Sequence, residues 1–317
     1  MTTEDGLTEA FLREPRRYTS HQVAYMAGVP VYRARRFWRA LGFANVSDDA
    51  MEFTDSDVEA LKTMLGMVSR GLYDEEHVLL MARSLGRATA RLAESQAELG
   101  AEALDQAGVP LTERPRAWTR RARRVVPDLE RLLVYAWRRQ LAASAGRLVD
   151  QEKSAVRLAV GFADLVGFTR LSRQITEIEL SSLVDSFEGR SADVVTSGGG
   201  RVVKTLGDSV LFVSGKSHDA AEIALRLVEA HSKVRNMPEL RVGLAVGPVI
   251  GRMGDVFGTT VNLASRLTSL ALPGTILMDP DMAEELTGDR AFALRAVDRL
   301  TVRGLGELVP FTLSRSL

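Results

Sequence analysis

The sequence predicts an α+β fold: an all-α N-terminal half followed by a ferredoxin-like domain with strands and helices in the order β-α-β-β-α-β. Two observations support this. The first half shows helical periodicity, whereas β-branched runs alternate with helical segments from Val156 onward. The 317 residues also suffice for two domains. We expect a helical domain at residues 1–126, a linker helix at 127–154 and the α+β domain at 155–317, with an antiparallel sheet whose helices cover one face.

The composition excludes several classes of protein. Hydrophobic residues make up 45% and charged residues 26% of the chain, Cys is absent, and the formal net charge is zero. Without Cys there is no disulfide, no thiolate nucleophile and no zinc–thiolate site, and the four His lack the spacing of metal ligands. No apolar run approaches the roughly 18 residues of a membrane span, and no signal-peptide pattern opens the chain. We therefore expect a cytoplasmic protein without a membrane span.

The N-terminal half begins with a helix, a glycine turn and a basic helix. The polar residues 1–17 predict a frayed end, after which Thr19–Gln22 fits a capping box that starts a short helix. Gly28 ends that helix, and Val31–Leu41 forms the next one. The basic residues of this second helix are Arg33, Arg35, Arg36 and Arg39. Helix, tight turn and basic helix together are typical of a helix-turn-helix.

The run from Tyr18 to about Met81 resembles the MerR-type winged helix-turn-helix. DNA binding is one function that this resemblance implies. A helical regulatory or dimerisation module is the other, and the balance of charge favours it, because neither half of the chain has a basic excess. We therefore do not expect nucleic acid as a partner.

A linker helix is predicted to connect the two halves. A loop marked by Gly108, Pro110 and Pro115 precedes it, and Pro127 is expected at its first turn, a favourable position for proline. Apolar residues then recur every four positions, at Leu129, Leu133, Trp137 and Leu141. This stripe requires a partner, which is either the first domain or the same helix in a second chain.

A predicted hairpin at Arg201–Phe212 organises the second half. Two apolar, β-branched runs flank a corner at Leu206–Gly207, where Gly allows the turn. Lys204 and Asp208 lie beside this corner. They form either a salt bridge at the hairpin tip, which would contribute little stability, or part of a site.

The first predicted strand of the second half ends at Asp164, and Gly167 turns the chain into a helix. The turn aims backbone N–H groups near Phe168 and Thr169 at a common point that suits an anion. Because the first strand lies beside the third in this topology, Asp164 and Asp208 can meet. Two carboxylates at one cleft favour Mg²⁺ or Mn²⁺ between them, although each Asp alone also fits a turn or cap.

A third group of polar residues lies in the segment Gly254–Leu267. Asn262 and Arg266 are four residues apart on a predicted helix and therefore point the same way. Arg suits an anionic oxygen and Asn suits a ribose or a backbone partner. Asp255 precedes this helix in a glycine-bounded loop. An ordinary exposed helix face would also explain Asn262 and Arg266.

With these residues in place, the segment 156–316 resembles the catalytic domain of class III nucleotide cyclases. The resemblance implies that Asp164 and Asp208 bind two metal ions, Mg²⁺ or Mn²⁺, and that Lys204 and Asp255 read adenine. It also implies that Asn262 orients the ribose and that Arg266 stabilises phosphate charge in the transition state. Guanylyl cyclases of the family typically have Glu and Cys where this chain has Lys and Asp, so ATP is the implied substrate.

The sequence departs from the family pattern near its C-terminus. A V-K-G-K motif is common there, and its first Lys contacts the terminal phosphates. This chain has Val302–Leu305 instead, so that Arg303 retains the first charge and the second Lys is lost. The loop between Gly247 and Asp255 is short, as in compact bacterial members. The implied reaction is conversion of ATP to 3′,5′-cyclic AMP and pyrophosphate, at two sites shared across a homodimer.

Three other functions compete with this interpretation. A DNA-binding regulator would use the second half only as a sensor. A diguanylate cyclase would need a G-G-D/E-E-F-type hairpin, which Leu206–Val210 does not provide. An inactive scaffold would not need all six matching positions. The first half is similar to regulatory regions of actinobacterial cyclases, which implies a proton or a fatty acid as effector.

Overall fold

The computed structural model describes residues 3–149, 156–302, 304 and 306–316, with only the backbone at 3–5, 146–149 and 302. The chain divides into two compact units, Met1–Arg147 and Leu148–Leu317. None of the described helices is both long and apolar enough to cross a membrane.

Helices build the described part of the first unit. They are α1 (Thr3–Leu12), α2 (Ser20–Met26), α3 (Val31–Ala40), α4 (Asp55–Ser69), α5 (Glu75–Gln106) and α6 (Arg114–Val149), with a 3₁₀ turn at Leu111–Glu113 before α6. The capping box predicted at Thr19 and Gln22 starts α2. The prediction of a frayed end at residues 1–17 is wrong, because α1 lies there. Val23, Phe37, Leu61 and Leu79 form the centre of the core of α2–α5.

The linker helix is longer than predicted. We expected it to begin at Pro127, but α6 begins at Arg114 and contains Pro127 in its interior. Pro115 occupies the first turn instead, where the missing N–H group costs no hydrogen bond. Ala, Leu and Arg residues around Pro127 favour the helix strongly enough to continue through it. Leu133, Trp137 and Leu141 of the apolar stripe are exposed in the chain.

The second unit is an α+β domain around one large sheet. Its helices are α7 (Phe168–Leu171), α8 (Glu177–Ser197), α9 (Ser217–Ser232), α10 (Thr259–Leu270) and α11 (Pro280–Glu285). Its strands are β1 (Val156–Leu165), β2 (Arg201–Thr205), β3 (Ser209–Ser214), β4 (Leu240–Arg252), β5 (Asp255–Phe257), β6 (Ile276–Met278), β7 (Phe292–Ala296), β8 (Leu300–Val302), β9 (Gly306–Leu308) and β10 (Phe311–Arg315).

The strand order β2-β3-β1-β4 confirms the ferredoxin-like core, and β6, β10 and β7 extend the sheet beyond β4. The sheet is not purely antiparallel as predicted, because β4 pairs with β6 in parallel. This parallel pair arises because α10 returns the chain to the end of the sheet at which β4 began, so that β6 runs alongside it.

Helices cover both faces of the sheet, which corrects the expectation of a single covered face. On one face α8 and α9 pack on Ala163, Phe212 and Leu244. On the other face α10 packs on Val160 and Ala245, which alternate with the first set. Helix α10 has its own apolar stripe, and this stripe is buried by packing against the second face of the sheet.

Gly243 allows α10 to approach β4 closely. A Cβ atom at this position would lie 2.2 Å from the backbone nitrogen of Thr268 and 2.3 Å from the carbonyl oxygen of Ala264. No side chain fits between strand and helix here. The backbone of β4 therefore sets the position of α10.

Candidate active site

Asp164 and Asp208 lie at neighbouring strand ends, as the topology predicts. Strands β1 and β3 are antiparallel, with Asp164 opposite Ser209. The amide of Leu165 donates a 2.9 Å hydrogen bond to the carbonyl oxygen of Asp208. This bond joins the two chain segments next to both carboxylates.

The electrostatics of the two carboxylates differ. Burial, followed by the negative charge of Asp164, raises the pKa of Asp208 above its usual value. Asp164 has a cationic partner, because Arg241 Nη2 and Nε donate to its Oδ2 at 2.6 and 2.8 Å. The negative charge of Asp164 is thus compensated by Arg241 within the chain, whereas the environment of Asp208 disfavours its charged form.

The donor set suits a divalent metal ion bound together with a substrate. Among the described residues, no group of three His, Cys, Asp or Glu side chains converges on one point. Two carboxylates supply hard oxygen ligands but too few for a complete coordination shell. Mg²⁺ and Mn²⁺ commonly bind through one or two carboxylates, with water and substrate phosphates as the other ligands. Asp164 and Asp208 fit that pattern.

The turn after β1 exposes backbone amides near these carboxylates. Gly167 has a positive φ of 73°, and its carbonyl oxygen accepts hydrogen bonds from the amides of Arg170 and Leu171. The amides of Phe168 and Thr169 donate no backbone hydrogen bond to any described residue. The Phe168 side chain packs against the core, and Thr169 is exposed.

Lys204 and Asp255 form an ion pair on the α10 side of the sheet. Lys204 Nζ lies 2.7 Å from Asp255 Oδ2, and both side chains are about one-third exposed, at 35% and 29%. Burial acts to raise the pKa of Asp255, but the hydrogen bonds from Lys204 and the Val256 amide lower it overall. The pair is therefore charged, and both members remain accessible to a ligand.

Asn262 and Arg266 both lie on the outer face of α10 and are exposed. The opposite face of the helix is buried, with Val261, Ala264 and Leu267 against the sheet. No hydrogen bond or ion pair joins the two outer side chains to any residue that the structure describes. They are therefore open to a partner outside the chain. Arg303 lies outside the described residues, and its neighbouring strands β8 and β9 pair as a separate hairpin.

Arg241 is the one residue of this region that the sequence analysis missed. It is the second residue of β4 and lies directly opposite Asp164. Its Nη1 donates a 3.2 Å hydrogen bond to the carbonyl oxygen of Ser269, near the end of α10. A single Arg at a strand start has no distinctive spacing. Only the register of β1 against β4, which the structure supplies, places position 241 opposite position 164.

Three of the four arginines of α3 form ion pairs within their own unit. Arg33 and Arg36 form ion pairs with Glu75 at the start of α5, and Arg35 pairs with Asp48. Arginines held in this way contribute less to a phosphate-binding surface.

Several known proteins are similar to this chain. A family model described as the adenylate and guanylate cyclase catalytic domain matches residues 150–315. An adenylate cyclase of Streptomyces coelicolor is 47% identical over 330 residues, covering 95% of this chain and 86% of the relative. An adenylate cyclase of Streptomyces griseus is 49% identical over 284 residues, covering 88% of this chain and 71% of the relative. Among solved structures, one similar to this chain is the crystal structure of the catalytic core of a rhodopsin-guanylyl cyclase with converted specificity in complex with ATPαS. The match covers 51% of this chain and 98% of the solved chain, with 25% sequence identity and a TM-score of 0.49.

Proposed function

The chain belongs to the family of adenylate and guanylate cyclase catalytic domains and is an adenylate cyclase; we propose that two copies of it convert ATP to 3′,5′-cyclic AMP and pyrophosphate at two shared sites. In each site, Asp164 and Asp208 of one copy hold two divalent metal ions, Mg²⁺ or Mn²⁺. Lys204, Asp255, Asn262 and Arg266 of the other copy bind the nucleotide. Because the substrate is ATP, we place the protein in the cytoplasm.

One observation carries this proposal. Asp164 and Asp208 converge, whereas Asn262 and Arg266 face outward from the same chain without a described partner. A second copy can supply what each half-site lacks, and twofold symmetry then makes two equivalent sites. Exposed apolar side chains nearby support such an interface, namely Leu206, Ile250, Met253 and Phe257.

Each residue has a distinct role in the proposed reaction. Lys204 and Asp255 present a donor and an acceptor to the adenine edge, and Asn262 orients the ribose so that its 3′-oxygen faces the α-phosphate. Arg266 places positive charge where the phosphate gains negative charge in the transition state. The amides of Phe168 and Thr169, together with Arg303, bind the remaining phosphate oxygens. The metal ions, when bound, lower the pKa of the 3′-hydroxyl and neutralise the triphosphate.

We further propose that the first unit regulates the enzyme, with a proton or a fatty acid as effector. The similarity to the Streptomyces coelicolor enzyme extends over 95% of the chain and so includes this unit. The exposed stripe on α6 provides a surface through which two copies can be held in different arrangements. A regulator of this kind biases a two-state equilibrium and need not touch the substrate.

The deciding experiment is an assay of cyclic AMP formation from ATP with Mn²⁺, using the full chain and residues 151–317. We expect product from both forms with either metal and none after chelation. Activity that survives complete chelation would contradict the metal assignment. Equal rates and pH profiles of the two forms, with and without fatty acid, would contradict regulation by the first unit.

A further inference from the structure

The Lys204–Asp255 pair lies beside a tight hairpin. Strands β4 and β5 pair with Arg252 opposite Asp255, so that Met253 and Gly254 alone form the turn. Both residues have a positive φ, of 53° and 84°, as a two-residue turn of this kind requires. Asp255 therefore directly follows the tip of the hairpin, and the position of the tip sets the position of its carboxylate.

A β-bulge in β2 turns Lys204 toward this hairpin. Arg201 pairs with Val213 on β3, and Lys204 pairs with Leu211. Val203 between them is left without a partner in this register. Because Val213 and Leu211 belong to the core on the α10 face of the sheet, their partners on β2 project to that same face. With strict alternation, residues three apart would lie on opposite faces, and the extra residue brings Arg201 and Lys204 to one.

Arg201 holds the tip of the hairpin from this face. Its Nη1 donates to the carbonyl oxygen of Gly254 at 3.3 Å, across 53 residues of chain. Lys204 Nζ reaches Oδ2 of the next residue, Asp255, at 2.7 Å. Two cations of β2 thus contact two consecutive residues of the hairpin, one through its backbone and the other through its side chain.

The same two cations act on the charge of Asp255. Burial acts to raise the pKa of this carboxyl group, but hydrogen bonds from Lys204 and the Val256 amide lower it, and the positive charges of Lys204 and Arg201 lower it further. A carboxylate only accepts hydrogen bonds, which suits an amino group on a base. When Lys204 turns toward a base, Arg201 stays beside Asp255 as its compensating charge.

We propose that Arg201 is a positioning residue for base recognition, which holds the β4–β5 turn against β2 so that Asp255 stays in place when Lys204 leaves it for the adenine edge. This inference rests on the proposed function, since it takes Lys204 and Asp255 as the pair that reads the base. Arg201 itself touches no part of the nucleotide. It acts through the backbone of Gly254 and through its charge.

Arg201→Met removes the donor and the charge but keeps an unbranched side chain. We expect the KM for ATP to rise about tenfold and the ratio of kcat/KM for ATP to that for GTP to fall about tenfold, because a displaced Asp255 no longer favours an amino group. The kcat at saturating ATP should change by less than about threefold, since the metal and phosphate ligands are other residues. A residue that only stabilised the fold would not change the preference between two bases.

Arg201→Lys provides the rescue. Its ammonium group keeps the charge and can donate to a single carbonyl oxygen, so the ratio should stay within about threefold of the wild type. The matched control is Arg157→Met. Arg157 also lies near the start of a strand and donates to one oxygen, Glu285 Oε1, through Nε and Nη2 at 3.1 and 2.7 Å. Since Glu285 belongs to α11, the control should leave the KM and the ratio unchanged.

The experiment measures steady-state kinetics of the full-length variants with ATP and GTP at saturating Mn²⁺, after thermal unfolding has shown that each variant is folded. Lys204→Met is included to test the base-reading pair itself. If Lys204→Met keeps the wild-type ratio, the pair does not read the base, and the inference fails with that part of the proposed function. If Lys204→Met lowers the ratio while Arg201→Met matches the control, the base assignment stands and the role of Arg201 is refuted. Should Arg201→Met fail to fold, Arg201→Gln replaces it, and an unchanged ratio in that variant overturns the inference.

Discussion

Lys204 Nζ and Asp255 Oδ2 lie 2.7 Å apart although 51 residues separate them in the chain. Strand β2 carries the cation and β5 the anion, so the pair exists only when both segments are folded. Each member is partly exposed and can turn toward a ligand. A purine edge that offers one acceptor and one donor matches this arrangement.

The first prediction concerns base specificity at this pair. The double variant Lys204→Glu, Asp255→Cys replaces both hydrogen-bonding partners, so a polar base edge would be left unpaired. We expect the ratio of kcat/KM for ATP to that for GTP to fall by about a hundredfold or more. Steady-state kinetics with both nucleotides measure this ratio. An unchanged ratio in a folded variant would remove the pair from the base pocket.

The second prediction separates stability from activity at the two aspartates. The raised pKa of Asp208 means that folding disfavours its charged form. The contribution of Asp208 to the stability of the folded state is therefore present at low pH and is lost as pH rises through its folded pKa. Asp208→Asn should therefore raise the melting temperature of the metal-free protein at pH 8 by about 2 °C. Asp164→Asn should lower it, because Arg241 loses its partner. Both variants should have no measurable cyclase activity.

Calorimetry without metal, at pH 5 and pH 8, provides the comparison. The gain from Asp208→Asn should shrink at pH 5, where more of the wild-type carboxyl is protonated. Retained full turnover in either variant would rule out the two-metal assignment, whatever the stabilities.

The third prediction tests the shared site. Asp208→Ala and Asn262→Ala proteins should each be nearly inactive, since each lacks one half of both sites. A mixed dimer has one site with both lesions and one with neither, so mixing should restore up to about a quarter of wild-type activity if subunits exchange freely. Asp164→Ala mixed with Asp208→Ala is the matched control. Both lesions then fall on the metal half, and no intact site can form. Exchange without recovery in the first mixture would disprove the model.

The fourth prediction concerns the stripe on α6. Leu133 and Trp137 are 44% and 57% exposed, and replacing both with Ser removes the apolar surface but leaves the helix hydrogen bonds intact. If this surface couples the units, the variant should show the rate and pH profile of residues 151–317. Tyr135→Ser is the control, since Tyr135 is 64% exposed on another face of the same helix and should leave regulation unchanged.

The fifth prediction uses a buried carboxyl group in the catalytic unit. Asp279 is 3% exposed and caps α11 through the Met282 amide, and burial raises its pKa to about 7 from an ordinary 3.8. The folded protein keeps this proton up to about pH 7, whereas the unfolded chain releases it near 3.8. The stabilising contribution of Asp279 is therefore lost as pH rises across that window.

Asp279→Asn retains the cap without the titration. The variant should flatten the fall in melting temperature between pH 4 and pH 8, with its largest advantage at pH 8. Thermal unfolding in a series of buffers at constant ionic strength measures this slope. A slope identical to that of the wild type would show that Asp279 does not titrate in this range.

The order of elements was predictable because hydrophobic periodicity and glycine turns are local signals. The neighbouring position of Asp164 and Asp208 followed from the topology alone, since the first and third strands are adjacent in the ferredoxin-like plan. The expectation that all helices cover one face was wrong, because the apolar stripe of α10 shows that it packs on a sheet but not on which side. The start of α6 was missed because Pro115 and Pro127 each suit a first turn.

The pairing of Lys204 with Asp255 could not be derived from spacing. It depends on the path of β5 over the sheet, and only the resemblance to a known family connected the two positions. Arg241 carried no signal at all until a strand register was available. Contacts between distant segments require the register of every strand between them, and hydrophobic patterns do not supply it.

Gly243 has a consequence for how such an enzyme can change during evolution. Because the main chain of α10 lies directly on the main chain of β4 at Gly243, any larger residue at this position would push the helix away from the sheet. The outer face of α10 can therefore accept new residues while its height above the sheet stays constant. A lineage could exchange the substrate-facing residues one at a time without rebuilding the scaffold beneath them. Gly243 itself cannot be exchanged in this way, because a side chain there would clash with the backbone of α10.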